Sequence, residues 1–368
     1  MAIPKFTEGT LYIDRDKDVR NQSWGPYVKI GIVRDGKTPE QRVRELQTGN
    51  PRKVHTIKEY NPVPMVESLE TRIHHNFADR WVRGEWFEMD DDFVKNELDQ
   101  EIVSYISEQK KFIDFHRKRV ELKSLASNET IREPTSSELK LHQEYINAKI
   151  RNDELKAKSL IIQSQMMVEM GNGGGISSIL KLTKRITPEK VVSAKITFDK
   201  SKFKAEYPDL YDELVVVEEG TIKGNLTMKN VPTLAKVDSE LKKNEDTSKE
   251  TCKTLKNSLC DNDKVLPNEK LKKLHLQYIS ILGELFNTDL QMERIKSQFA
   301  SSLGEDEGIE GIIQWKRASK PLEKFDVKLV ENQYPKIYND CSIEVPEKTT
   351  PASRVIAIEV EMYREYVL

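Results

Sequence analysis

Tyr27-Val28-Lys29-Ile30-Gly31, followed by Pro39 and Arg42, then Glu70-Thr71-Arg72-Ile73-His74 and finally Gly84-Glu85-Trp86-Phe87, lays out the elements of the N-terminal fold in order. The first five residues alternate apolar and polar, as a half-buried strand does, which puts Tyr27, Lys29 and Gly31 on one face. Thr10-Leu11-Tyr12-Ile13 reads as a neighbouring strand across a polar loop, Asp14 to Pro26. Pro39 opens a helix that carries Arg42 and Leu46 one turn apart, and Gly49-Asn50-Pro51 ends it. A second helix follows Pro64; within it Glu70 and His74 stand four residues apart and share a face. Trp86 and Phe87 supply the large apolar side chains that a core this small requires. Singly, each polar residue has a plain explanation: a solvated charge on a helix, or a packed structural histidine.

Taken in order, Leu11-Tyr12, Val28-Lys29-Ile30-Gly31, Pro39, Arg42, Leu46-Gln47-Thr48-Gly49-Asn50-Pro51, Glu70-Thr71-Arg72-Ile73-His74, Phe77 and Gly84-Glu85-Trp86-Phe87 resemble the GIY-YIG nuclease superfamily. They are most similar to a phage and bacterial branch with Val-Lys-Ile-Gly and Gly-Glu-Trp-Phe motifs. The resemblance covers roughly the first 90 residues. It implies a three-stranded antiparallel sheet with flanking helices, and hydrolysis of DNA phosphodiesters with one divalent metal, Mg²⁺ or Mn²⁺. By similarity Glu70 is the metal ligand, Arg42 the cation that stabilises charge on phosphate, and Tyr12 the phenol that positions or deprotonates water. A hard carboxylate oxygen suits Mg²⁺, and a guanidinium matches phosphate geometry. His74 lines the site or exchanges a proton; His75 is expected to be exposed and incidental. Lys29 stands where the second motif usually has tyrosine, so Tyr27 on the same strand face substitutes for it or Lys29 contacts phosphate. Arg15, Lys17, Arg20, Lys29 and Arg44 are the candidate nucleic-acid contacts. Trp24 lies in the same loop as the first three, although Asp14, Asp16 and Asp18 make a neutral, solvated loop an equal reading. Two alternatives stand beside the metal-dependent endonuclease: a noncatalytic phage or bacterial DNA-binding or interaction protein on the same scaffold, and a structural assembly factor.

The remaining residues add organisation more than chemistry. Lys and Arg number 59 against 61 Asp and Glu, so no global cationic field draws in nucleic acid. Residues 1 to 90 are equally balanced, 15 against 14. Three cysteines without paired short spacing argue against a disulfide framework or structural zinc. No apolar run is long enough for a membrane span, and a cytoplasmic protein of a bacterial cell or phage-infected host is expected. The fold class expected is α+β. The small domain at 1–90 leads into a helical arm at 91–170, with Leu98, Ile102, Tyr105, Gln109, Phe112 and His116 in amphipathic register. Glycines at 171–175 read as a flexible hinge, and 176–368 as an α+β unit with a helical hairpin inserted at 234–301. Phe198-Asp199, Tyr207-Pro208, Leu210 and Tyr211 recur as Phe325-Asp326, Tyr334-Pro335, Ile337 and Tyr338 with identical spacing, which marks an internal repeat. The three-four apolar seam from Leu271 to Phe299 predicts packing inside the hairpin or, through residues 268–301, a homodimer.

Overall fold

The computed structural model describes residues 7–34, 36–48, 50–184, 190–257, 263–350 and 354–358; Gly49 and Cys260 lie outside them. The N-terminal unit is α+β, as expected. Strand β1 (Gly9–Lys17) pairs antiparallel with both β2 (Trp24–Val33) and β3 (Lys53–Val63). β4 (Trp81–Arg83) and β5 (Trp86–Glu88) extend the sheet to five strands in the order β3-β1-β2-β5-β4. The connection read as a loop from Asp14 to Pro26 is shorter than the sequence suggests. Both strands continue toward the tip, so only residues 18–23 turn.

Helix α1 (Pro39–Gln47) starts at a capping box: Thr38 accepts from the Gln41 amide while the Gln41 side chain returns to the Thr38 amide. Helix α2 (Val66–Asn76) buries Val66, Leu69 and Ile73 against Leu11, Ile13, Val28, Ile30 and Phe87. That core does not end near residue 90. It takes in Leu98, Ile102 and Tyr105, together with Phe286 and Leu290 from nearly two hundred residues further on. Leu98, Ile102, Tyr105, Gln109 and His116 are all buried, so the amphipathic register holds, although the helix is broken into Asp99–Lys110 and Ile113–Leu122.

Beyond residue 112 the chain is built twice. Helices Ser136–Met170 and Glu269–Leu303 have the same length, and each ends on a glycine with positive φ: Gly171 at 56° and Gly304 at 59°. After each comes a short hairpin with a left-handed residue at the same point, Ser178 and Gly311. The two copies then pair with each other strand for strand. Ile131–Arg132 lies beside Gly308–Ile309, and Lys264–Val265 beside Gly175–Ile176. Lys195–Phe198 pairs with Ser342–Val345, and Val215–Glu218 with Leu322–Phe325. Thr227–Met228 pairs with Ile313–Gln314, and Leu180–Lys184 with Arg354–Ile358. Such reciprocity is what a two-fold axis produces in a dimer, here within one chain. The repeat visible in the sequence is the last part of each copy. Tyr207 and Tyr334 adopt the same backbone conformation, and Phe198 stacks on Phe325 at 6.0 Å in their shared core.

This arrangement revises two expectations. Helices Ser239–Asn257 and Glu269–Leu303 were expected to cover each other; instead both pack on Ser136–Met170, which takes up the apolar seam. Leu271, Leu274, Leu285, Met292, Ile295 and Phe299 are thereby buried in their own chain, the residues read as a possible subunit contact. The glycines at 171–175 form a bonded turn where a flexible hinge was expected. The Gly173 amide donates to Met170, that of Gly174 to Asp263, and Gly175 is buried in a strand. A Cβ at Gly175 would sit 2.5 Å from the Leu180 carbonyl oxygen, so close backbone approach accounts for that glycine.

Candidate functional site

β1 and β2 bring Tyr12 opposite Gly31 and Asp14 opposite Lys29. Tyr12 is buried, and a Cβ at position 31 would meet its hydroxyl at 2.5 Å. Gly31 is thus the space in which the phenol lies. Arg42, one turn into α1, lies close enough to Tyr12 for each to shift the other's titration, and it pairs with Glu45. Burial pushes the Tyr12 hydroxyl above its ordinary pKa, while Lys29 and Arg42 pull the other way. The Lys29 ammonium sits 5.8 Å from the Tyr12 ring centroid.

Lys29 is the hub of the group. It is 3 % exposed, forms an ion pair with Glu85, and its charge is felt at Tyr12, Asp14, Glu70 and His74. Glu70 on α2 is largely buried. Desolvation first, and repulsion from Glu85 second, push its carboxyl up to about 7, while Lys29 and Arg34 oppose the rise. His74, one turn on, packs edge-on against Phe87 at 5.1 Å, and its Nε2 is buried without a hydrogen-bond partner among the described residues. Burial lowers its basicity. Asp14 accepts from the Thr56 hydroxyl at 2.7 Å, its second oxygen has no partner among the described residues, and burial raises its pKa.

Of the residues picked from the sequence, Tyr12, Lys29, Arg42, Glu70 and His74 form one electrostatically connected group. Tyr27 stays at the surface, 41 % exposed, two residues along the strand from Lys29. Arg15 is no nucleic-acid contact. Its guanidinium is buried, donates to the Gly25 and Met89 carbonyls at 2.7 and 2.9 Å, and pairs with Asp91. Lys29 is likewise sunk beneath the surface and engaged with Glu85. Lys17, Arg20 and Arg44 have no carboxylate partner within 4.0 Å among the described residues. His75 is half-buried, contrary to expectation, and packs near Gly283. Asp14, Arg34 and Glu85 were missed. Glu85 could have been found, since it belongs to the Gly-Glu-Trp-Phe motif that closes on the strand bearing Lys29.

A cleft of about 500 Å³ lies elsewhere, between α2 and helix Glu269–Leu303, and is lined by Arg72, Asn76, Glu108, Phe112 and Arg294. Its charges are engaged in an Arg72–Glu108–Arg294 network that ties the N-terminal unit to the duplicated region. It includes none of the Tyr12 group.

Among the described residues no cluster of three or more His, Cys, Asp or Glu suits a metal. A metal here would rest on few protein ligands, as Mg²⁺ often does. Glu70 fits that role: its buried carboxylate is destabilised by its surroundings, and a cation would relieve it.

The antiparallel sheet and its flanking helices thus gather a buried tyrosine, a part-exposed arginine and a largely buried glutamate around one lysine. Residues 9–105 match the T5orf172 domain, found in phage and bacterial nuclease-like proteins. The matched span reaches Tyr105, the last N-terminal residue in the core described above. No curated protein and no solved structure matches the chain. Among the described residues no helix is long and apolar enough to cross a membrane.

Proposed function

We propose that the N-terminal unit is a GIY-YIG-type, metal-dependent endonuclease that hydrolyses DNA phosphodiesters, with the duplicated region serving targeting or assembly. The observation that carries this reading is the gathering of Tyr12, Arg42 and Glu70 around the buried Lys29, where burial and Glu85 raise the Glu70 carboxyl to about 7 against the pull of Lys29. Glu70 would hold Mg²⁺ or Mn²⁺, and the bound ion would polarise a phosphoryl oxygen and acidify water. Arg42 orients and stabilises the phosphate through its planar donors. Tyr12 positions the attacking water, and its raised pKa keeps it protonated at neutral pH, so it acts as a donor or through a neighbour. Lys29 supplies the fixed positive charge where the related motif has a second phenol, and Glu85 holds its ammonium. His74, kept neutral by burial, can take up a proton at Nε2.

Lys29 in place of the second motif's tyrosine favours a second reading, in which the scaffold binds DNA without cutting it. Supercoiled plasmid incubated with the protein and Mg²⁺ separates the two. Wild type should nick it, and folded Glu70→Ala and Arg42→Ala variants should each be slower by about 10² or more. Gel retardation with no nicking by wild type replaces the nuclease by the binding protein, and equal nicking by all three removes the site assignment.

A further inference from the structure

The β1–β2 tip is made to hold tryptophan in solvent. Between Arg15 and Lys17 the register of β1 on β2 slips. A bulge of this kind re-aims side chains. At Gly25 an added Cβ would meet Asp16 Oδ1 at 1.9 Å, so any larger residue there would displace the Asp16 side chain from its place beside Arg52. Arg52 fastens the turn through Asp16, Asp18 and the Ser23 carbonyl. The result is Trp24, 43 % exposed, with the His55 ring edge-on at 5.8 Å and the Lys17 ammonium 5.2 Å from its centroid.

The charge around it is net positive. Asp16 and Asp18, which made the sequence look neutral here, both pair with Arg52, and the four cations Lys17, Arg20, Arg52 and Lys53 outnumber these two carboxylates by two. Lys17 stands directly opposite Lys53 in the β1–β3 register, an arrangement that costs stability when nothing neutralises it. Neither lysine has a carboxylate within 4.0 Å among the described residues, and the exposed Arg20 at the tip has none either. The same field lowers the basicity of His55 after burial has done so.

We propose that this tip is a nucleic-acid platform on which an unpaired base stacks against Trp24 while Lys17, Lys53 and Arg20 contact the flanking phosphates. Aromatic rings and cations in one exposed groove are what sequence-tolerant single-strand binding requires. Lys17 lies five residues from Tyr12 on the same strand, roughly 16 Å at ~3.3 Å per residue, and the odd spacing sets the two side chains on opposite faces of the sheet, so the tip is a contact separate from the proposed cleavage site. The inference rests on the nucleic-acid reading of that site, and DNA and RNA share the chemistry.

The test uses the full chain in EDTA with labelled single-stranded DNA, single-stranded RNA and duplex DNA of equal length, read by fluorescence anisotropy. Trp24→Ala should weaken single-strand binding by about 5- to 100-fold. Trp24→Phe should restore most of it, showing that the ring and not the fold is at stake. Lys17→Gln with Lys53→Gln should lower the slope of log K against log salt by about 1.4 on single strands. Whichever of DNA and RNA shows these losses is the ligand. Trp24→Ala binding within about twofold of wild type on every oligonucleotide overturns the platform, as does loss on the duplex alone or no binding by wild type. Plasmid nicking by the same Trp24→Ala protein is scored separately. Nicking retained with binding unchanged sinks the platform alone, whereas tip-dependent binding with no nicking by wild type sinks the nuclease alone.

Discussion

Glu70→Gln should stabilise the metal-free protein at alkaline pH. A carboxyl whose folded-state pKa is about 7 holds its proton more tightly when folded than in the unfolded chain, where 4.5 is ordinary. Its contribution to stability is therefore fully present below pH 4.5, and is lost as pH rises through 7. The gap corresponds to about 3 kcal/mol at ~1.36 kcal/mol per pH unit, an upper figure because the folded site can relax around the charge. Glutamine keeps the shape and removes the titration. The difference between Glu70→Gln and wild type should accordingly grow from near zero at pH 4 to about 1–3 kcal/mol at pH 8.5, in EDTA. Urea unfolding followed by tryptophan fluorescence reads it, since Trp81 and Trp86 belong to this unit. Mg²⁺ should narrow the gap by binding the wild-type carboxylate. A Glu70→Gln protein no more stable than wild type at pH 8.5 would refute the argument that burial strains this carboxylate.

Other outcomes follow from particular contacts. Gly31→Ala places a methyl 2.5 Å from the Tyr12 hydroxyl, so nicking should fall by about 10² or more and urea unfolding should show a loss of about 1–3 kcal/mol. Lys29→Met leaves Glu85 and Glu70 without their shared cation, so the acid limb of the pH–rate profile should move to higher pH. A protease site placed between Val231 and Thr233, when cut, should leave the two fragments co-eluting on size exclusion, because the strands of one copy pair with those of the other. Separation without denaturant would contradict the reciprocal pairing.

The N-terminal fold was legible because the motif residues there also serve geometry. Gly31 makes room for Tyr12, Pro39 opens α1, and Phe87 lies at the centre of the core. The duplicated region was only partly legible. Its clearest repeat, around Phe198 and Phe325, is an aromatic cluster in which side chains meet their own counterparts, so both copies keep the same residues. The long helices instead face different neighbours: Phe286 and Leu290 pack on the N-terminal unit, while the matching Asp153 and Ala157 do not. Their likeness is therefore diluted to scattered identities, such as Pro134 with Pro267, His142 with His275, Ser164 with Ser297 and Gly171 with Gly304, all 133 residues apart. A search at that fixed offset would have found them. The site's charge state was not legible at all. That Asp16 and Asp18 are spent on Arg52, and Arg15 on Asp91, depends on contacts spanning up to 76 residues.

Single-turnover cleavage of an end-labelled duplex measures whether Glu70 and Arg42 catalyse phosphodiester hydrolysis. Wild type should cleave in Mg²⁺ and stop in EDTA. Glu70→Ala should bind the duplex as wild type does while cleaving at least about 10²-fold more slowly. Cleavage that survives EDTA or is unchanged in Glu70→Ala, or tight binding by wild type with no cleavage in any divalent metal, would rule out metal-dependent catalysis by Glu70 and Arg42.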